Sequence, residues 1–350
     1  MRLSPCAKGC ETPTSRSKPC LFPADPQQNE TFGTWRISFR VQAGMTLALF
    51  ALVLSRPLAG HSIVYSARDK TVLLIGGDTV GGLPIYRLKG GAWKAVPNSD
   101  FPARSLAAVA ADEAGNVLVN GGAIGRQRPD GGIDFKVTSE TWLWNGQKWS
   151  LVATTGPTPR DHHAMAYDRG RHRFVMFGGS DADPSRRSEF FGDTWEWDGH
   201  AWLQVATTGP GSRCHFSMSY DPVNKCTVLV GGYGPRGGDG KTWTWDGKAW
   251  RAVAQGVPAD RISPRLAWDD VNKRILLFGG ESGGARPSDT WAWTGTAWKR
   301  VAQTGPPGRT VHGLAWDRER KAMIAYGGSN GNDVLGDLWS FNAGKWQELP

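Results

Sequence analysis

The chain has 350 residues, of which 46 are glycine and 18 tryptophan, and a formal net charge of +9. Residues 1–60 carry seven basic and three acidic side chains, so +4 of that charge sits there and the other +5 is spread over 290 residues. With no basic run interleaved with aromatics, nucleic acid is excluded as a partner, and with no apolar run long enough to cross a bilayer, a transmembrane anchor is excluded too.

Residues 1–44 are rich in Pro, Ser, Thr and Gln and hold Cys6, Cys10 and Cys20. They read as a disordered or processed leader. Residues 45–60 read as a signal-like segment. Met45–Leu54 is a run of ten apolar or small residues, preceded by Arg36 and Arg40 and followed by Ala59-Gly60. That layout implies export to the periplasm or the exterior. A buried strand of the first structural unit is the competing reading of the same run.

From residue 61 to 350 one grammar recurs. Double glycines stand at Gly76/Gly77, Gly121/Gly122, Gly178/Gly179, Gly231/Gly232, Gly279/Gly280 and Gly327/Gly328. Closing tryptophans stand at Trp93, Trp149, Trp202, Trp250, Trp298 and Trp346, at intervals of 56, 53, 48, 48 and 48 residues. A period near fifty marks a propeller blade or similar module.

The third unit shows the pattern. His163–Tyr167 reads as strand a, Asp168–Arg171 as a hairpin turn, and Arg173–Phe177 as a buried strand b. The glycine pair then permits positive φ and close backbone approach. Trp195 and Trp197, two apart, share a face of strand c. Asp198-Gly199 turns the chain and Trp202 opens strand d. Register accounts for 17 of the 18 tryptophans as blade-to-blade packing, with Trp35 left outside. A carbohydrate-stacking platform is the sharper alternative for so many indoles.

Six four-stranded antiparallel units stacked radially make a six-bladed β-propeller, an all-β fold. The apolar strand, double glycine and spaced aromatics resemble the Kelch repeat over about residues 56–350. The variety is similar to bacterial Kelch proteins and to the central propeller of galactose oxidase. WD repeats fit less well, because only Gly60-His61 offers their Gly-His opening. The resemblance implies a binding or scaffold module. It also implies that arginines on the face of the d–a and b–c connections bind acidic peptide segments.

Seven residues before the aromatic that ends strand a stand Arg160, Arg213, Arg261 and Arg309, with Arg104 one place off. Near the axis their guanidiniums would converge on a channel mouth and take an anion bidentately. In the competing structural reading each bonds carbonyls of the adjacent blade. Long b–c loops add Arg126 and Arg128 in the second unit and Arg186 and Arg187 in the third. The expected partner is an anionic protein or carbohydrate ligand. The rival reading is a periplasmic sugar-modifying enzyme, such as a mutarotase for an acidic sugar, with Asp181, Asp183 and His162 as acid/base candidates.

No cofactor or metal is implied. Histidines repeated by register (His61, His163 and His312; His162 and His215) fall in different blades and gather no ligand set unless they meet at the axis. The C-terminal domain that completes galactose oxidase chemistry has no counterpart here, and a sialidase Asp-box is not found. Around Asp221–Asn224 a hairpin pairs Tyr220 with Cys226 and carries Cys214 to the far end. The two thiols are then too distant for a disulfide and act as small buried hydrophobes.

Overall fold

The computed structural model describes residues 53–54, 57–77, 85–96, 101–181 and 188–350. Residues 1–44 with Trp35, Met45–Leu52 of the signal-like segment, Asp183, Arg186 and Arg187 lie outside the described residues.

Six antiparallel sheets form a six-bladed β-propeller. Each blade runs a-b-c-d from the axis outward. The six a strands are His61–Ser66, Ala108–Ala111, Ala164–Asp168, Cys214–Asp221, Arg265–Asp269 and Gly313–Asp317. Strand b is buried along nearly its whole length, as in Phe174–Phe177 and Ile275–Phe278, because it has a sheet neighbour on each side and a blade on each face. Val53–Leu54 pairs with strand d of the first blade as a short fifth strand. The long loop of the second blade folds into a hairpin, Ala123–Gln127 against Ile133–Val137.

Six apolar clusters hold the ring, and each lies between two adjacent blades. The strand-d indoles add polar links across the same seams. Trp202, Trp250, Trp298 and Trp346 each donate Nε1–H to a threonine at the start of strand c of the preceding blade, at 2.8–2.9 Å. At the other two seams Ile85 and Leu338 stand in the threonine's place, and the buried Nε1 atoms of Trp149 and Trp93 have no partner among the described residues.

The double glycines work at these seams. Gly178 (φ 61°) and Gly179 (φ 100°) lie in the left-handed region, where a side chain is strained. A Cβ on Gly178 would meet the Arg213 carbonyl of the next blade at 2.8 Å. The Gly179 N–H donates to that carbonyl at 2.8 Å. The same bond recurs from Gly122 to Arg160, Gly232 to Arg261 and Gly280 to Arg309.

Ring closure follows the same rule. The Gly328 N–H donates to the Leu58 carbonyl at 2.7 Å, so Leu58 holds the arginine's place in the first blade. His61 Nε2–H donates to the Tyr326 carbonyl at 3.1 Å, and Trp93 meets the Tyr326 ring edge-on at 5.2 Å. Leu58 thus takes part in closing the ring, ahead of the first a strand at His61.

Arg104, Arg160, Arg213, Arg261 and Arg309 are all buried. Each side chain donates to the carbonyl of the first glycine of its own blade, at 3.0–3.2 Å. Each also pairs with a carboxylate just before strand c of that blade: Glu140, Asp193, Asp239, Asp289 and Asp337 in turn, at 2.6–2.8 Å. The same carboxylates accept the indole N–H of Trp142, Trp195, Trp243, Trp291 and Trp339. One node thus ties strands a, b and c. Arg104 makes the full set of contacts and occupies the same place as the others, not one position off.

Replacing Arg309 by Lys keeps the charge but loses the planar fork. We expect a loss of about 2–4 kcal/mol, since an ammonium cannot reach Gly327 and both Asp337 oxygens together. Urea unfolding of Arg309→Lys and Arg160→Lys checks this; wild-type midpoints in both would show the node to be dispensable.

Candidate functional site

The axial channel is lined by the a strands and divided in two. Ile63, Val109, Met165, Met218, Leu266 and Leu314, one from each blade, border both halves and form an apolar belt. The half toward the d–a and b–c connections has a cavity of about 100 Å³. The half toward the hairpin turns has one of about 260 Å³.

A backbone ring frames the first cavity. Gly60, Leu106, His162, His215, Ser263 and Val311 hold one register and all have φ between 46° and 71°. That conformation turns successive blades toward each other. Leu106 N–H donates to Gly60, His162 to Leu106, His215 to His162, Ser263 to His215 and Gly60 to Val311, at 2.6–3.2 Å. Among the described residues the step from Ser263 to Val311 has no such bond, and a side chain spans it instead. Arg265 Nε–H donates to the His312 carbonyl at 2.9 Å.

Arg265 breaks its register. The equivalent residues in the other five blades are Ser62, Ala108, Ala164, Ser217 and Gly313, and all six line the cavity. The small neighbours leave room for one long side chain. Among the described residues Arg265 pairs with no carboxylate, and Nε to His312 is its one hydrogen bond. Burial pushes its pKa down to about 10, so it remains a cation at neutral pH. A half-buried guanidinium without a counter-ion is costly, and its terminal nitrogens are suited to an anion.

Two imidazoles stand nearby. The His162 and His215 rings stack at 3.9 Å, so repetition does become convergence at this point of the axis. His162 Nδ1 lies 2.9 Å from Asp161, and His215 Nδ1 2.9 Å from Cys214 Sγ. Burial, then the neighbouring His162 and Arg265, hold His215 well below the usual imidazole range. Cys214 and Cys226 are buried and not joined by a disulfide. Cys226 pairs with Asp221, one place from the expected Tyr220.

The site residues expected from sequence are thus redistributed. Arg104, Arg160, Arg213, Arg261 and Arg309 do not line the channel mouth, because their guanidiniums are held inside their own blades. Arg126 and Arg128 are exposed on the hairpin of the second blade, where Arg128 pairs with Asp130 and Asp134. Asp181 is buried and its carboxylate accepts the Glu189 N–H at 2.7 Å. Of the three acid/base candidates, His162 lines the cavity. Arg265 was missed, although its signal was legible: one arginine in a column of Ser, Ala and Gly.

No family model matches the chain, and no curated protein matches it. Among solved structures it is similar to YjhT, with 14% sequence identity and a TM-score of 0.63 over 84% of this chain and 98% of that one. At that identity the likeness is one of fold.

The buried histidines make stability depend on pH. Burial holds His61 and His163 near a pKa of about 3, and His215 and His312 well below 6.5. In the unfolded chain they titrate near 6.5, so between these values the unfolded state binds more protons. Stability is complete above about pH 6.5 and falls toward pH 3, by about 1.4 kcal/mol per pH unit for each histidine. The paired Glu140, Asp193, Asp239 and Asp337 are raised by burial but lowered further by their arginine and indole bonds; they lose stabilisation in the same direction at lower pH. Urea midpoints at pH 7.5 and 5.5 should differ clearly, with a smaller gap in His312→Gln. Equal midpoints would contradict neutral burial of these rings.

Proposed function

We propose that this propeller is a binding module that holds a small anionic group in the axial cavity, with Arg265 as its anchor. One observation carries the reading: a cationic side chain faces the cavity with no carboxylate beside it among the described residues. A volume of about 100 Å³ suits a carboxylate or phosphate group rather than a folded segment. The stacked imidazoles of His162 and His215 add polar ring nitrogens to the wall. Among the described residues the lining includes no Asp or Glu, the Asp161 carboxylate standing behind His162. On the same proposal the repeat is of Kelch type, and the apolar run Met45–Leu54 directs export. The sugar-modifying alternative is not favoured, since the cavity pairs its guanidinium with no carboxylate base.

Succinate, inorganic phosphate and triglutamate serve as probes, read by calorimetry and thermal unfolding. An anion bound at Arg265 should raise the melting temperature, and added salt should weaken it. Arg265→Met should weaken binding at least about tenfold, the loss of one charge-assisted contact. Without ligand this variant should melt no lower than wild type, because an unpaired cation has been removed. A lowered melting temperature with unchanged anion affinity would make Arg265 a connector between the fifth and sixth blades and defeat the proposal.

A further inference from the structure

The second axial cavity, on the hairpin-turn face, has a different chemistry. Its wall takes the residue at the end of strand a from every blade: Tyr65, Ala111, Tyr167, Tyr220, Trp268 and Trp316. Five of the six are aromatic. Sequence register assigns Trp268 and Trp316 to packing between blades, and with the three tyrosines they also line the cavity. Tyr65, Tyr167 and Trp268 each pack on an interblade cluster yet are half-buried, with the rest of the ring facing the bowl. Tyr220 and Trp316 are 8% exposed. Ala111 leaves a gap on one side, so the bowl is open where a sixth ring would close it.

The wall from the fifth blade round to the first is fixed in place. Trp268 Nε1–H donates to Asp270 at 2.8 Å, and Asp270 pairs with Arg318 Nε at 2.7 Å. The Arg318 guanidinium lies over the Tyr65 ring, 5.6 Å from its centroid, and the Tyr65 hydroxyl donates to Glu319 at 3.1 Å. This chain of contacts crosses the fifth, sixth and first blades, so the aromatic faces are oriented before any ligand arrives.

The charges lining the bowl select the ligand class. Asp112, Glu113 and Asp270 stand with Arg169 and Arg318. An anion would meet the carboxylates and a cation the guanidiniums. A neutral ring bearing hydroxyls can donate to the first and accept from the second, while its apolar face covers an aromatic one. A cavity of about 260 Å³ is small for a drug-sized ligand and suits one or two such rings. We propose that the aromatic bowl on the hairpin-turn face is a binding site for a neutral carbohydrate, distinct from the anion cavity across the apolar belt. Five of the six belt residues, Ile63, Met165, Met218, Leu266 and Leu314, are 4–8% exposed and Val109 is half-buried, and the belt lies between the two sites.

The full chain is screened by saturation-transfer NMR against methyl glucoside, methyl galactoside, methyl mannoside, N-acetylglucosamine, cellobiose, maltose and tetramethylammonium. Hits are then titrated by calorimetry. At least one saccharide should bind, and tetramethylammonium should not. Trp268→Ala and Tyr167→Ala should each weaken the saccharide about tenfold or more while still unfolding cooperatively. Ala111→Trp fills the gap in register and should abolish binding. Arg265→Met should bind the saccharide as wild type does, whatever it does to anions. Binding of tetramethylammonium alone, binding of no saccharide, or saccharide affinity unchanged in Trp268→Ala, Tyr167→Ala and Ala111→Trp would each overturn the proposal. If one variant fails to fold, the other two decide.

Discussion

A guanidinium is buried at least cost where an anion and a carbonyl meet it together, and that preference shapes the entry to five of the six blades. The arginine ahead of strand a reaches the glycine carbonyl after strand b and the carboxylate before strand c. Its own carbonyl meanwhile receives the glycine N–H of the preceding blade. One residue therefore fixes three strand ends within a blade and the distance to the next blade. The positive-φ glycines follow from this, since a Cβ at Gly178 would occupy the space that the Arg213 carbonyl needs. Among the described residues the first blade shows no such guanidinium. There Leu58, itself buried, keeps the backbone half of the arrangement.

Once the blade entries are fixed, the strand-a registers become rings around the axis. One position gives the backbone ring of left-handed residues, the next but one gives Ser, Ala, Gly and Arg265, and the strand end gives the aromatics. Stability and specificity are separated by this layering. The arginines that repeat pair with carboxylates, while the arginine that does not repeat lines the cavity and pairs with no carboxylate among the described residues. The charged group with a costly environment is the one that a ligand could relieve.

The blade count, the hairpins and the strand order were legible because a fifty-residue period overrides local ambiguity. The direction in which a repeated side chain points was not. A register says that Arg160 and Arg213 are equivalent, yet equivalence is satisfied equally by five guanidiniums meeting at an axis and by five lying inside separate blades. What settles it is the carboxylate before strand c, from Glu140 to Asp337. It lies between 26 and 36 residues downstream of the arginine, a variable distance that no fixed motif captures. Arg265 was hidden for the opposite reason, since attention to what recurs passes over the residue that departs. The strand-end aromatics were correctly placed in register, but a half-buried ring and a buried one look alike in a sequence.

Every blade takes all four main strands from one continuous stretch of chain, and the junction between the sixth blade and the first is made by side chains and loop backbone alone. The seam that joins the two outermost blades in sequence is then chemically one seam among six. A chain reopened in another d–a connection and joined across residues 350 and 58 would keep the six four-stranded sheets and the same nodes, losing only the short Val53–Leu54 strand. The order in which the blades are written is thus a property of the gene more than of the fold. Circular permutation, or duplication of a single blade, is an evolutionary move that this closure leaves open.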